Sequence, residues 1–253
     1  LAASTPDVIH AHGFWYAPAD IAARSARRRN IPFVLNPYYA PRTKMLWRMY
    51  RELVGNATIA AADAVVVISP QEASALQADG HALRRVELIP PGIDPQEFAQ
   101  RRSNPFIRYG LQNKDVLLFA GRIALAKGID LLLEALPDII RGAEDRDLDI
   151  HCCIAGEDFG DRAALEDLAE RLGIASAVSW LGKLSREDLL AAYQPARVFV
   201  FPSRYETFGI AVLEAQAAGC PVVASNTASL PFLVAHERTG FLFRPDAPQD
   251  LAA

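Results

Sequence analysis

The feature that most constrains the fold is an alternation between short β-branched runs and segments of helical character. Val65–Ile68, Val116–Ala120 and Val198–Phe201 are such runs, and a helical segment follows each of them. Hydrophobic strands joined through helices form parallel βαβ units, in which helices cover both faces of the sheet. The pattern therefore predicts an α/β protein with doubly wound sheets.

Further predicted elements extend this alternation to both ends of the chain. Strands are predicted at Val8-Ile9, Pro32–Leu35, Val86–Ile89, Asp149–Ala155, Val178–Leu181, Val222–Ala224 and Gly240–Phe243. Helices are predicted near Pro18–Arg29, Lys44–Ala62, Gln71–Ala78, Gly128–Ile140, Asp161–Leu172, Arg186–Tyr193, Phe208–Ala218 and Leu230–Ala235.

A loop rich in Pro and Gly at residues 90–95 and a polar stretch at 100–115 interrupt the series. We therefore predict two domains, residues 1–100 and 101–253. About four strands precede the loop, fewer than a complete doubly wound domain contains. The chain also starts without Met and stops within a predicted helix, so we expect a fragment that lacks part of its first domain and its last helices.

Composition excludes several classes of protein. Hydrophobic residues make up 51% and charged residues 22% of the chain, which excludes a disordered protein. No apolar run reaches the length of a membrane span. A net charge of −4 gives no argument for nucleic-acid binding. Three cysteines in apolar runs, without CxxC spacing, predict reduced core residues of a cytoplasmic protein and no zinc site.

One candidate cluster is Gly121-Arg122 followed by Lys127-Gly128, at the end of a predicted strand. Ligands of doubly wound sheets bind at the carboxyl ends of strands, where Arg122 and Lys127 could both reach a diphosphate. The alternative interpretation is two solvated loop cations.

A second cluster surrounds the start of the helix predicted at Phe208–Ala218. The amides of Gly209 and Ile210 would be free donors there, which favours an anion site. Glu206 precedes this helix, and Glu214 lies on an otherwise apolar helix where an unpaired carboxylate is costly. Sugar hydroxyls would be suitable donors. The alternative of a helix-dipole acid fits Glu206 well, but a solvent-facing position fits Glu214 poorly.

Two further patterns offer weak metal motifs. His10 and His12 share one side of an extended segment, but no further ligand lies nearby in sequence. One of them could instead face a cleft between domains. The acidic run at residues 145–149 lies in a polar turn, and we interpret it as solvated.

Residues 42–54 form an amphipathic helix pattern with a basic stripe and an apolar stripe. The first 56 residues carry eight Lys and Arg against three acids, so cations concentrate here. The pattern favours a helix packed on the core with a solvated basic face. The alternative is peripheral contact with an anionic membrane or a lipid-phosphate acceptor. The basic stripe consists of Lys44, Arg48 and Arg51, and the apolar stripe of Met45, Leu46, Met49 and Leu53, flanked by Trp47 and Tyr50.

Taken together, these motifs resemble family 4 glycosyltransferases of the GT-B architecture. The resemblance rests on segments along most of the chain. They are residues 7–13, 62–69, 89–94 (with Pro91 where the family usually has Asn), Gly121-Arg122 with Lys127-Gly128, Glu206–Gly209 with Glu214, and 219–224.

The resemblance implies two Rossmann-like domains that face a cleft and a sugar transfer from a nucleotide diphosphate donor, such as a UDP-sugar or GDP-sugar. The acceptor would be a glycan, a lipid-linked molecule or a small molecule. The resemblance also implies retention of configuration without a metal or other cofactor. No segment matches the family's glycine-rich N-terminal loop, which leaves nucleotide-sugar binding without turnover as the alternative.

The resemblance assigns roles to individual residues. Arg122 and Lys127 would bind the diphosphate, Glu206 the transferred sugar and Glu214 the ribose. The backbone of Phe208, Gly209 and Ile210 would contact sugar and phosphate, and the backbone around Lys183 and Leu184 the base. His12 would reach the sugar from the other domain. A nicotinamide-dependent oxidoreductase lacks support, because no GxGxxG follows a strand.

Overall fold

The computed structural model describes residues 6–41 and 45–253. Its contacts divide the chain into two compact units, Leu1–Pro91 and Gly92–Ala253. The sequence predicted the division after residue 100, whereas the contacts place it before residue 92. Phe98 is the reason, because its side chain is buried and its carbonyl accepts a hydrogen bond from Gln194 (3.1 Å) in the second unit.

The first unit contains a parallel four-stranded sheet with the order β1-β2-β3-β4. Its core combines apolar strand residues with an aromatic group around Phe14 and Tyr39. Prolines occupy the first or second position of two of its helices, where a missing amide hydrogen costs nothing. The elements are β1 (Ile9–His12), α1 (Ala17–Arg29), β2 (Phe33–Asn36), α2 (Met45–Tyr50), a π-helical segment (Arg51–Gly55), α3 (Asn56–Ala60), β3 (Ala64–Val67), α4 (Pro70–Ala78) and β4 (Val86–Leu88).

The long helix predicted over Lys44–Ala62 is confirmed as a continuous helical run over residues 45–60, and its middle, Arg51–Gly55, is π-helical between α2 and α3. The predicted orientation of this helix is wrong, because the side chains of Met45, Leu46, Met49 and Leu53 are all exposed. Trp47 and Tyr50 pack on the core instead. The aromatic rings, and not the Met and Leu stripe, therefore form the buried face. Lys44 lies outside the described residues.

The second unit contains a parallel six-stranded sheet with the order β10-β9-β8-β5-β6-β7. Both faces of the sheet are covered, and Cys152 and Cys153 on neighbouring positions of β6 are both buried. The elements are α5 (Pro95–Ala99), β5 (Asp115–Ala120), α6 (Ile129–Glu144), β6 (Ile150–Ala155), α7 (Arg162–Arg171), β7 (Val178–Gly182), α8 (Arg186–Tyr193), β8 (Val198–Phe201), α9 (Ile210–Ala217), β9 (Val222–Ser225), α10 (Leu230–Leu233), β10 (Phe241–Phe243) and α11 (Pro248–Ala252), with short 3₁₀ turns at Pro105–Tyr109, Leu125–Lys127 and Ala175–Ala177.

The strand order defines where a ligand would bind in this unit. From β5 the chain proceeds to β6 and β7 on one side, and from β8 to β9 and β10 on the other. The order therefore reverses between β5 and β8, which pair directly. In doubly wound sheets, ligands bind at the carboxyl ends of the strands beside such a reversal.

The three cysteines are buried, as predicted for core residues, and all three are free. Burial raises the pKa of Cys153 and Cys220 to about 12, so these thiols are protonated at neutral pH. The acidic run at Asp145, Asp147 and Asp149 is exposed, as expected of a solvated turn.

Candidate functional site

Two loops leave the sheet at the reversal and carry the predicted cations and carboxylates. The loop after β5 contains Gly121 and Arg122 and ends in the 3₁₀ turn that places Lys127. The loop after β8 contains Glu206 and leads to Gly209, whose φ of 102° sets the start of α9. Because β5 and β8 are neighbours, residues 79 apart in sequence meet at one edge of the sheet.

Lys127 and Glu206 form an ion pair across the two loops. Lys127 Nζ lies 2.5 Å from Glu206 Oε2, and the two side chains are 12% and 18% exposed. The second carboxylate oxygen, Oε1, accepts a hydrogen bond from the Thr207 amide (3.1 Å). An ammonium group has three donors, so Lys127 retains donors for a ligand while it holds Glu206.

Backbone contact and Arg204 fix the two loops together. A Cβ on Gly128, where φ is 68°, would lie 1.9 Å from the Pro202 carbonyl oxygen, so glycine is required there. The Arg204 guanidinium donates to the Leu125 carbonyl (2.6 Å) and, through both terminal nitrogens, to Asp130 (2.8 Å each). These contacts hold the turn that carries Lys127 against the loop that carries Glu206.

Glu214 is a buried carboxylate on the apolar helix α9, only 6% exposed. Arg186 Nη1 forms an ion pair with its Oε1, and the Tyr193 hydroxyl donates to its Oε2 (3.1 Å). Burial, together with the neighbouring Glu214, raises the pKa of Tyr193 well above its usual value, so its hydroxyl remains a donor. The expectation that Glu214 needs donors is met within the protein, by two residues that the sequence analysis missed.

The sequence contains one signal that Arg186 has an acidic partner. Ser185 caps α8 by accepting a hydrogen bond from the Asp188 amide (3.0 Å), which makes Arg186 the first residue of that helix. A cation at a helix N-terminus opposes the helix dipole. An arginine in this position therefore indicates an acidic tertiary partner.

An open cavity of about 420 Å³ lies at this edge of the sheet. Five predicted site residues line it, while Lys127, Glu206, Phe208 and Gly209 are not among its lining residues. The Phe208 side chain is buried in the core, so only its backbone could serve a ligand. The lining includes Gly121, Arg122, Gly156, Glu157, Lys183, Leu184, Arg186, Tyr193, Ile210, Ala211 and Glu214.

The cavity has exposed charges at its mouth. The Arg122 guanidinium lies 5.2 Å from the ring centroid of Phe159. Lys183 Nζ pairs with Glu157 Oε2 at 3.1 Å, and both side chains are largely exposed. Exposed pairs of this kind are weak and exchange readily for a charged ligand.

The N-terminus of α9 also faces this edge. Its N-cap, Gly209, provides no side-chain hydrogen bond to the first helical amides. Such an end offers backbone donors and the positive pole of the helix to an anion. The predicted helix start at Phe208 is two residues too early, because the left-handed Gly209 precedes the helix, which begins at Ile210.

His12 lies in the first unit, at the carboxyl end of β1. Its ring is exposed, Nδ1 lies 3.2 Å from the Tyr38 hydroxyl, and its centroid is 4.4 Å from that of His10. His10 Nε2 lies 2.7 Å from Asn36 Oδ1. The role of His12 toward a sugar stays a prediction.

The described residues contain neither a metal-binding cluster nor a membrane-spanning helix. Within residues 6–41 and 45–253, no three His, Cys, Asp or Glu side chains are arranged to hold a metal ion. In the same part of the chain, no helix combines the length and the apolar character that crossing a bilayer requires.

Family models match both parts of the chain. Residues 103–253 match the model described as glycosyl transferases group 1. The chain belongs to the group 1 glycosyl transferases. Residues 1–97 match the model of glycosyltransferase family 4, which confirms the family that the sequence motifs resemble.

Curated relatives agree with this assignment. A D-inositol 3-phosphate glycosyltransferase of Streptomyces avermitilis is 36% identical over 198 residues, covering 75% of this chain and 43% of the relative. Another, from Stackebrandtia nassauensis, is 32% identical over 269 residues, covering 97% of this chain and 58% of the relative. The chain thus spans about half the length of the curated relatives it matches.

Solved structures confirm the GT-B fold. Anabaena HepE in complex with UDP and glucose superposes with a TM-score of 0.83 at 23% identity, covering 97% of this chain and 66% of that one. Sucrose-phosphate synthase from Thermosynechococcus elongatus superposes with a TM-score of 0.81 at 26% identity, covering 97% of this chain and 62% of that one.

Proposed function

We propose that the second unit binds a nucleotide diphosphate sugar, and that the whole protein transfers the sugar to an acceptor. The observation that carries this proposal is the Lys127–Glu206 ion pair at the sheet reversal, together with the cavity that Arg122 and Glu214 line at the same edge. Family membership supports it, as do the relatives named glycosyltransferases and the neighbour solved with UDP-glucose.

In this proposal, Lys127, Arg122 and the N-terminus of α9 receive the diphosphate. Glu206, held by Lys127, accepts hydrogen bonds from hydroxyls of the transferred sugar, and the backbone amides of Phe208, Gly209 and Ile210 contact sugar and phosphate. Glu214 accepts from the ribose, and the backbone at Lys183 and Leu184 meets the base. His12 would contact the sugar.

The proposed reaction needs stabilisation of the leaving diphosphate above all. The bond between the sugar's anomeric carbon and the phosphate oxygen breaks, and a bond from that carbon to the acceptor oxygen forms on the same face. The acceptor proton passes to the departing phosphate oxygen. Cations and helix amides that point at the charge developing on the diphosphate lower the activation barrier of the transfer. We propose that they act without a metal.

The acceptor is proposed by class only: a glycan, a lipid-linked molecule or a small molecule. The alternative function is binding of the nucleotide sugar without turnover by the chain of 253 residues. A single assay of donor hydrolysis and transfer separates the two. Saturable binding with neither product supports the alternative.

The test is calorimetric titration of the chain with UDP, GDP, ADP and their glucose or mannose conjugates. We expect saturable binding of UDP or GDP, weakened at least tenfold in both Lys127→Ala and Glu214→Ala. Lys114→Ala is a matched control, because Lys114 pairs with Asp149 (2.6 Å) at the opposite end of β5. Unchanged affinity in both site variants would refute the proposal.

We also propose that the exposed Met and Leu stripe makes peripheral contact with an anionic membrane. Met45, Leu46, Met49 and Leu53 are 53–76% exposed, and Arg48 beside them is exposed. Arg24 and Arg27 of α1 share a surface cavity with Leu53. Exposed apolar side chains with arginines beside them suit the interface of a negatively charged bilayer.

Vesicle sedimentation tests this contact. We expect binding to phosphatidylcholine vesicles that contain phosphatidylglycerol, release by high salt, and little binding to phosphatidylcholine alone. Leu46→Asp/Leu53→Asp should abolish it, whereas Ile107→Asp, at an exposed apolar position of the second unit, should not. The absence of binding at low salt would refute the contact.

A further inference from the structure

Arg186 connects two carboxylates in the second unit. Its Nη1 pairs with Glu214, while Nε and Nη2 donate to both oxygens of Glu97 at 3.1 and 2.8 Å. The guanidinium also lies 5.6 Å from the ring centroid of Phe98. The planar group is thus fixed on two edges and one face, which is the geometry that arginine forms and lysine cannot.

The two carboxylates lie in different surroundings. Glu214 is buried, whereas Glu97 on α5 is half-buried, with 35% of its side chain exposed. The hydrogen bond from Arg186 lowers the pKa of Glu97, which therefore stays ionised and holds the guanidinium in place. A buried carboxylate without a cation would be strongly destabilised.

The protein donors do not exhaust the acceptor capacity of Glu214. Each carboxylate oxygen can accept two hydrogen bonds, and the structure gives Oε1 the bond from Arg186 and Oε2 the bond from Tyr193. Glu214 lines the cavity, so the remaining acceptor positions are available to a ligand from that side. Orientation of the carboxylate then depends on the two donors behind it.

We propose that Arg186, anchored by Glu97, is a positioning residue that keeps Glu214 charged and turned toward the ribose hydroxyls of the nucleotide. The inference rests on the proposed function, because it takes Glu214 as the ribose acceptor. It adds a role for a residue pair that no motif of the chain identified. Arg186 acts through Glu214 and not through a contact with phosphate.

The test compares UDP with its 2′-deoxy and 3′-deoxy analogues by calorimetry on the full chain, using the guanosine series if GDP is the ligand. Wild type should prefer the parent nucleotide. In Arg186→Gln, affinity for the parent should fall at least tenfold and the preference should disappear. Arg186→Lys should keep part of the preference for the parent nucleotide. Glu97→Gln should lose less affinity and less preference than Arg186→Gln.

Arg197→Gln is the control, because Arg197 pairs with Asp115 (3.0 Å) and is similarly exposed, but does not line the cavity. If Arg186→Gln fails to fold, as judged by circular dichroism, Arg186→Lys and Glu97→Gln carry the test. An undiminished preference for the ribonucleotide in the folded variants would overturn the inference. Failure of wild type to bind any nucleotide would instead refute the proposed function.

Discussion

Replacement of Gly128 by alanine isolates the contact that holds the two site loops together. The new Cβ would lie 1.9 Å from the Pro202 carbonyl oxygen, whereas Cβ atoms keep about 3 Å or more from such an atom. The backbone would have to separate by about 1 Å at the turn that carries Lys127. Close-packed interiors resist a shift of this size.

A second glycine provides the reference. Gly110 has nearly the same φ, 70° against 68°, but a Cβ there meets no atom within 4 Å. Gly110→Ala should cost about 1 kcal/mol, from the left-handed conformation alone. Gly128→Ala adds overpacking of about 1–3 kcal/mol, so its total cost should be about 3 kcal/mol.

The assay is urea-induced unfolding of both variants, followed by circular dichroism, with nucleotide affinity measured by calorimetry. We expect Gly128→Ala to lose about 2 kcal/mol more stability than Gly110→Ala. It should also lose at least tenfold in affinity, since Lys127 is displaced. Equal stability and equal affinity in the two variants would refute the claim that the Pro202 contact positions the site.

Three further predictions follow from other contacts. Burial lowers the pKa of His81, whose two ring nitrogens have no hydrogen-bond partner among the described residues, so the unfolded chain binds the proton more readily. The stability of the wild-type protein should therefore fall as the pH drops through about 6.5, and the stability of His81→Leu should fall less. Thermal unfolding with the same pH dependence in wild type and His81→Leu would contradict this. Arg204→Lys loses the paired hydrogen bonds to Asp130 and should weaken nucleotide binding about tenfold, with circular dichroism unchanged; wild-type affinity would argue against the clamp. Tyr193→Phe removes one donor to Glu214 and should weaken binding about three- to tenfold, and an unaltered Kd would show that Arg186 alone suffices.

The sequence predicted most of the fold, because strand and helix periodicities are local properties. The strands Val116–Ala120 and Val198–Phe201 agree with the structure to within one residue. The exceptions arise where tertiary packing decides. Trp47 and Tyr50 turn inward and leave the apolar stripe exposed, and the buried Phe98 attaches residues 92–100 to the second unit.

The site too was predicted only as far as local sequence patterns define it. Strand ends and a helix start placed Lys127, Glu206 and Glu214 at one edge, and the structure brings the first two into direct contact. The partners of Glu214 could not be derived from spacing, because Arg186 and Tyr193 lie on another helix. Their placement depends on how α8 packs beside α9, which no local pattern specifies.

The central claim is that a nucleotide diphosphate binds at the reversal between β5 and β8. A crystal structure of the chain with the nucleotide that binds most tightly tests it most directly. We predict a diphosphate in contact with Lys127 and Arg122, and ribose hydroxyls within hydrogen-bonding distance of Glu214. A nucleotide bound elsewhere, or one whose ribose points away from Glu214, would contradict the account.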